Sequence, residues 1–372
     1  MSVEVREIEG RKGLRAFIQY PFQLYKKNKY WVPPLWMDEL NTLDRSKNPA
    51  YQHCRVKMFM AYRDGNPVGR VAAIINNKYI EKWKNQYCRF GWLDFPDDPE
   101  VSAALMAAVE NWARGEGMTA VHGPMGFTDL DREGMLVEGF DELGTMATYY
   151  NHPYYPKHME TLGYRKDIDW VEFELLTPKD VPEKVIRVNQ LVLKRTKVRV
   201  VQGTKKEYLR YASGIFDVIN ESYKDLYGVM ELTDAQVQAY IKQYFGFLNI
   251  DYVKIIVDQD DKVVGFGVTM PSLSRALQKS KGRLFPFGFI HLLWALKFPK
   301  RIDFLLIAML PEYQARGLTA PLMTEVTSNA IRNKILSAET NPELETNTQV
   351  QSMWKIYDPR QHKRRRAFIK EL

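Results

Sequence analysis

One stretch of the chain carries residue types in an order that suits a definite piece of chemistry. Leu305-Leu306-Ile307-Ala308-Met309-Leu310-Pro311-Glu312-Tyr313-Gln314-Ala315-Arg316-Gly317-Leu318-Thr319-Ala320-Pro321-Leu322-Met323 reads as an apolar strand, a short loop and the opening of a helix. Pro321 fits a first helical turn, where its missing N–H has no intrahelical partner to lose. Gly317 lets the loop bend and lets backbone come close to a ligand. The unpaired N–H groups of a helix start, with the positive end of the dipole behind them, attract an anion, and Arg316 adds a full charge. A pyrophosphate is the natural guest. The residues of this stretch expected to contact the ligand as a whole are Met309, Leu310, Gln314, Ala315, Arg316, Gly317, Leu318, Thr319 and Ala320. The plain alternative is an ordinary strand-to-helix turn.

This stretch resembles the cofactor loop of the GNAT acyltransferases, Gln/Arg-x-x-Gly-x-Gly/Ala, preceded by a strand that ends in a Pro-Glu-Tyr loop. Gln314 and Gly317 match, and Thr319, a residue able to cap a helix, stands where a second Gly or Ala is usual. Downstream, the run from Asn347 through Trp354 to Tyr357 is similar to that superfamily's ending, Asn-x-x-Ala-x-x-x-Tyr-x-x-x-Gly-Phe. Asn347 matches, Asp358-Pro359 replaces Gly-Phe, and Trp354 takes the place of a Tyr that in many members protonates the departing thiolate. The resemblance implies acetyl-CoA or another acyl-CoA as co-substrate, with Asn347 and Trp354 joining the loop as cofactor contacts. It implies acyl transfer to a small-molecule or peptide amine, without a metal. Trp offers no proton there, so the acid is Tyr357, solvent or none. Positioning supplies most of the rate, and a base must take the amine's proton. Glu339, just past a strand-like run at 335–338, is the expected base; solvation of a strand end is its plain alternative.

The elements that must position these residues occur twice. In the first half, strands are expected at 3–8, 57–62, 68–75, 90–95, 120–122 and 170–175, and helices at 13–27 and 101–115 with a Tyr-rich helical stretch into Gly163. Asp64-Gly65-Asn66-Pro67 is a hairpin signal. In the second half, strands are expected at 198–201, 253–257, 263–269, 304–309, 335–338 and 366–370, and helices at 207–223, 235–245, 320–333 and 350–357. The Pro178- and Pro182-containing stretch between them reads as a junction, with a short helix inside it. The expected fold is α+β: two tandem GNAT-like domains, 1–176 and 177–372, each a mixed, mostly antiparallel sheet flanked by helices. The first half also resembles that superfamily's close, at Tyr155 to Tyr164. Its counterpart of the cofactor loop, however, reads Phe95-Pro96-Asp97-Asp98-Pro99-Glu100, with no glycine and three carboxylates where a pyrophosphate should lie. Only the second half is expected to hold the cofactor. Other tandem members leave open aminoacyl-tRNA-dependent ligation, with tRNA the one nucleic acid in view, and a non-catalytic CoA-binding protein.

Composition narrows the rest. The 372 residues, 45% hydrophobic and 26% charged, suit an ordinary globular chain. No leader-like apolar segment opens it, and no run reaches the roughly 20 apolar residues of a membrane span. Two cysteines, Cys54 and Cys88, form neither a disulfide framework nor a metal cage, so the cytoplasm is the expected location. Part of the +8 net charge sits in His362-Lys363-Arg364-Arg365-Arg366, read as a terminal strand with one wet face. Asp129 to Gly134 opens like a calcium loop, but Phe140 replaces the bidentate Glu, so a turn in solvent is expected. The 282–300 segment is nearly apolar all round if helical. It must be buried, with packing between the domains as the expectation, or must meet something greasy.

Overall fold

A computed structural model describes residues 2–244, 249–314 and 316–372. The chain forms two compact units. One comprises Met1–Val171, Leu273–Leu293 and His362–Leu372; the other comprises Glu172–Ser272 and Trp294–Gln361. The strands are β1 (Glu4–Glu7), β2 (Cys54–Arg63), β3 (Asn66–Asn76), β4 (Tyr87–Asp94), β5 (Ala120–Gly123), β6 (Met135–Glu138), β7 (Arg165–Leu176), β8 (Arg199–Val200), β9 (Val253–Val257), β10 (Val263–Pro271), β11 (Arg301–Met309), β12 (Ser337–Glu339), β13 (Glu343–Leu344) and β14 (Arg360–Glu371).

In the first unit the strand order is β1-β2-β3-β4-β5-β14, with β6 against β14. In the second it is β7-β12-β11-β10-β9-β8, with β13 against β7. Antiparallel pairs dominate in both units. The parallel pairs β4–β5 and β11–β12 interrupt them, one in each unit. The expected α+β class and mostly antiparallel sheets are therefore present, and the doubling of element order is real. The strands of each unit bury β-branched and aromatic residues under helices. Ala73, Phe90 and Val121 pack against Leu105 and Val109 in the first unit, and Ile255, Phe266 and Ala308 against Val218 and Leu322 in the second.

Several expectations need correction. The single helix at 207–223 is two, Lys205–Leu209 and Ala212–Tyr223, the first opened by a Thr204–Glu207 capping box. The junction helix is not short: it runs Glu183–Thr196. Of the helix expected at 235–245, Phe245 lies outside the described residues, and Asp234–Tyr244 is helical. The basic block is a strand but not a wet one. Lys363 and Arg365 are 1% and 0% exposed, while Arg364 and Arg366 pair with Asp169 at 3.3 and 2.8 Å. Long side chains can be buried when their heads find partners, and Arg365 donates to the Tyr149 carbonyl. The 129–134 turn is half-buried: Asp131 accepts the Phe127 and Thr128 N–H groups, and burial lifts the Asp129 and Asp131 carboxyls to about 6. The apolar helix in 282–300 forms at Gly288–Lys297, yet Trp294 is 67% exposed, so burial of its apolar surface is not what stabilises it.

Candidate functional site

The second unit's sheet opens where the sequence places the chemistry. β11 and β12 run parallel only through Arg301↔Ser337, Ile302↔Ala338 and Asp303↔Glu339. β11 then continues to Met309, while its other edge stays paired with β10. A bulge sits at the point of divergence: Val268 faces Leu306 and Thr269 faces Phe304, leaving Leu305 as the extra residue. From there, alternate backbone groups of β11 face an edge that has lost its strand partner.

The carbonyls on that edge are satisfied by side chains. Asn341 Nδ2 donates to the Leu305 carbonyl at 3.1 Å and the Tyr223 hydroxyl to that of Ile307 at 2.9 Å. Ser222 Oγ and Gln314 Nε2 donate to the Met309 carbonyl at 2.7 and 3.1 Å. The N–H groups of Ile307 and Met309 on the same edge face no strand. An extended ligand bearing amide carbonyls fits such an edge.

Beyond Met309 the chain makes a short helical turn, Pro311–Gln314, and enters the Thr319–Arg332 helix. Ala315 lies outside the described residues. Gly317 has φ +77°, the left-handed region, and a Cβ there would stand 3.2 Å from Val192 Cγ2 on the Glu183–Thr196 helix. Leu318 is buried and anchors the turn in the core, with Ala320 and Leu322 following. Thr319 does not cap the helix. The capping position is Leu318, which offers no side-chain acceptor, and the first turn carries no acid. At the helix start the Ala320 N–H donates to the Gly317 carbonyl at 3.0 Å, Pro321 has no N–H to offer, and the capping residue's side chain serves none of the others. Arg316 is exposed, lies over the Tyr313 ring at 5.1 Å, and has no carboxylate within ion-pair distance among the described residues.

The matching position of the first unit is closed. There the Pro99–Gly115 helix is capped by Asp98, whose carboxylate accepts the Glu100 and Val101 N–H groups. Arg63 pairs with both Asp98 and Glu100. Asp97 holds His158 Nε2 at 2.9 Å, and the Phe95 N–H donates to the Tyr155 hydroxyl. Carboxylates already sit where an anion would bind.

The remaining expected residues fall into two groups. Glu339 is buried at the last paired position of β12, opposite Asp303. Strand rise alone separates that level from Met309 by about 20 Å. Asn347, Trp354 and Tyr357 are held by their own contacts. Asn347 caps the Thr348–Trp354 helix through Val350 N–H. The Tyr357 hydroxyl lies 3.0 Å from Thr327 Oγ1, and burial raises its pKa. Trp354 is buried against the Phe304 ring, centroids 5.1 Å apart, and its indole N–H donates to Glu343 Oε1 at 2.7 Å.

Glu343 is the residue that sequence reasoning missed. Its Oε2 is shielded from solvent and has no hydrogen-bond partner among the described residues. Burial pushes the carboxyl up to about 8, against the opposing pull of bonds from Trp354 and Thr340. The only signal for it was its place four residues beyond Glu339, after Asn341-Pro342.

With this geometry in view, the fold can be placed. The chain has the tandem GNAT fold: it aligns over 100% of its length with 98% of a tandem GNAT protein from the clavulanic acid biosynthesis pathway, at TM-score 0.57 and 13% identity. A GCN5-related N-acetyltransferase from Sphaerobacter thermophilus aligns with 99% of the chain and 95% of its own, at TM-score 0.53 and 12% identity. Among curated proteins, Protein YghO from Escherichia coli (strain K12) is 28% identical over 379 aligned positions, covering 99% of this chain and 95% of that one. Bacterial ceramide synthase from Caulobacter vibrioides is 29% identical over 308 positions, covering 80% of this chain and 77% of that one. No protein-family profile matches the chain.

Proposed function

We propose that the second unit binds one acyl-CoA and transfers its acyl group to an amine. The observation that carries this reading is the contrast between two equivalent helix starts. One is filled by Asp98; the other is uncapped, flanked by Arg316 and reached by a positive-φ glycine. An uncapped start with a free guanidinium suits a pyrophosphate. The open edge of β11 suits the amide-bearing arm that joins that pyrophosphate to a thioester, and it leads toward the bulge at Leu305 and the carboxylates beyond it.

Bound acyl-CoA supplies an activated carbonyl with a good leaving group. The chain's own residues then hold the amine against it and remove a proton as the C–N bond forms and the C–S bond breaks. Two carboxylates stand near the divergence, Glu339 and Glu343. We assign the base to Glu343, because a carboxyl poised near 8 with one unengaged oxygen accepts a proton more readily than an ordinary one. Glu339 remains in the reading as the competing base, distinguished below by its pH profile. Tyr357 receives no role, since its hydroxyl is engaged with Thr327 in the core.

A finer reading of the acceptor draws support from the relative named a bacterial ceramide synthase. Ceramide is an amide, so a long-chain amine is the acceptor to try first. The tRNA reading loses its main hint, because the basic block of β14 is buried or ion-paired. Incubation with acyl-CoA and a panel of amines, long-chain and polar, followed by mass spectrometry, tests the reading. It expects amide product and free CoA; CoA binding with no amide from any amine would leave a binding protein.

A further inference from the structure

The Gly288–Lys297 helix and its flanks present large apolar side chains to solvent. Phe285, Phe287, Leu293 and Trp294 are 79%, 71%, 59% and 67% exposed, and only Gly288 and Leu292 of the helix are buried. Phe289 and Leu293, and Ile290 and Trp294, are spaced four apart and share a face. Phe285 adjoins Phe289 at 6.2 Å and Phe298 adjoins Trp294 at 4.7 Å, so the aromatic surface continues past both ends. Monomeric proteins seldom leave such a surface open without a use for it.

The approach to the segment is held by hydrogen bonds. Gln278 Nε2 donates to the Lys29 and Trp31 carbonyls, both at 2.9 Å, and Trp36 N–H donates to the Gly282 carbonyl at 2.9 Å. Arg283 reaches Gln19 at 3.2 Å and lies over the Trp36 ring. Gly288 is required: a Cβ there would stand 1.7 Å from the Arg283 carbonyl oxygen. The foot is polar and fixed, and the apolar face is free.

Charge identifies the occupant. Between Lys262 and Asp303 the chain has no Asp or Glu, but it carries Arg275, Lys279, Lys281, Arg283, Lys297, Lys300 and Arg301. Arg275, Lys279, Lys281, Lys297 and Lys300 are exposed. Exposed apolar side chains flanked in sequence by exposed lysine and arginine on both sides, with no acid between, suit a helix that lies in a membrane interface, where each cation gains from anionic lipid. A helix of this length, about 15 Å, lies in the plane and does not cross. We propose that the 283–298 segment docks this protein onto a bilayer surface bearing anionic lipid, with Phe287, Leu293 and Trp294 entering the headgroup–acyl boundary.

Flotation of the full chain with vesicles tests this without reference to acyl transfer, so it stands or falls apart from the catalytic reading. Vesicles of phosphatidylcholine with phosphatidylglycerol should carry the protein upward, vesicles of phosphatidylcholine alone much less, and added salt should weaken the binding. The double variant Phe287→Glu/Trp294→Glu should bind roughly tenfold less or weaker while melting at the wild-type temperature, because both side chains are exposed. Three results overturn the proposal: no flotation with anionic vesicles, equal flotation with neutral ones, or a double variant that floats like wild type. A wild-type dimer by light scattering that the variant converts to monomer, without flotation of either, would assign the face to a second copy of the chain.

Discussion

The indole N–H of Trp354 donates to Glu343 Oε1 at 2.7 Å, tying a buried tryptophan to a carboxyl that burial pushes up to about 8. A tryptophan that cannot serve as a proton donor would therefore still bear on proton transfer if Glu343 is the base proposed above, by holding that carboxyl in place. Since the hydrogen bond favours the charged carboxylate, Trp354 works against the burial that keeps the acid protonated.

Turnover should accordingly rise with pH through about 8, as Glu343 gives up its proton. Glu343→Gln should lose that limb and about 100-fold or more of kcat. Trp354→Phe should move the limb to higher pH, since the bond it removes stabilises the charge. If Glu339→Gln abolishes the limb and Glu343→Gln leaves it, the base is Glu339. A stability readout checks the raised carboxyl independently, with the opposite slope. The folded carboxyl keeps its proton between its unfolded value of 4.5 and about 8, so wild-type stability relative to Glu343→Gln should fall as pH rises through that window.

His122 predicts a dependence of the opposite sense. It is fully buried beside the Tyr79 and Tyr87 rings, and burial, with Arg89 nearby, draws its pKa down to about 4 despite Asp167. Below 6.5 the unfolded chain takes up a proton that the folded one refuses. Stability should therefore drop as pH falls from 6.5 to 4, by about 3 kcal/mol in all from this group. Melting temperatures of wild type and His122→Asn across that range should diverge by this pH-dependent part; parallel curves would remove His122 from the acid response.

Asp98→Ala removes the carboxylate that closes the first unit's helix start. The lost cap should cost about 1 kcal/mol, read as a lower denaturant midpoint. It should create no second CoA site, because Asp97 and Glu100 remain and the turn has no glycine to admit a phosphate.

Local patterns were legible in the sequence. The hairpin of β2 and β3, the strand–turn–helix from Leu305 to Met323 and the acidic counterpart at Phe95 to Glu100 all depend on neighbours in sequence, and all appear where the residues put them. What was not legible depends on residues far apart. Glu343 and Trp354 meet across a turn, and nothing in either's immediate context marks the pair. Lys363 and Arg365 read as solvated because their alternation with Arg364 and Arg366 suggests a basic face. Their burial rests on distant partners such as the Tyr149 carbonyl. The Gly288–Lys297 helix carried the clearest apolar signal, but composition could not say that its large side chains would stand exposed and not buried. The contact of Val188 and Val192 with the Gly317 turn likewise joins segments more than a hundred residues apart.

The proposed function places one CoA site on the chain, at the uncapped start of the Thr319–Arg332 helix. Isothermal titration of the full chain with CoA tests it most directly. The expected result is one site per chain, at least 100-fold weaker in Gly317→Glu, where bulk and negative charge meet the phosphates, and unchanged in Asp98→Ala. Two equivalent sites, no binding at all, or wild-type affinity in a folded Gly317→Glu variant would contradict the account.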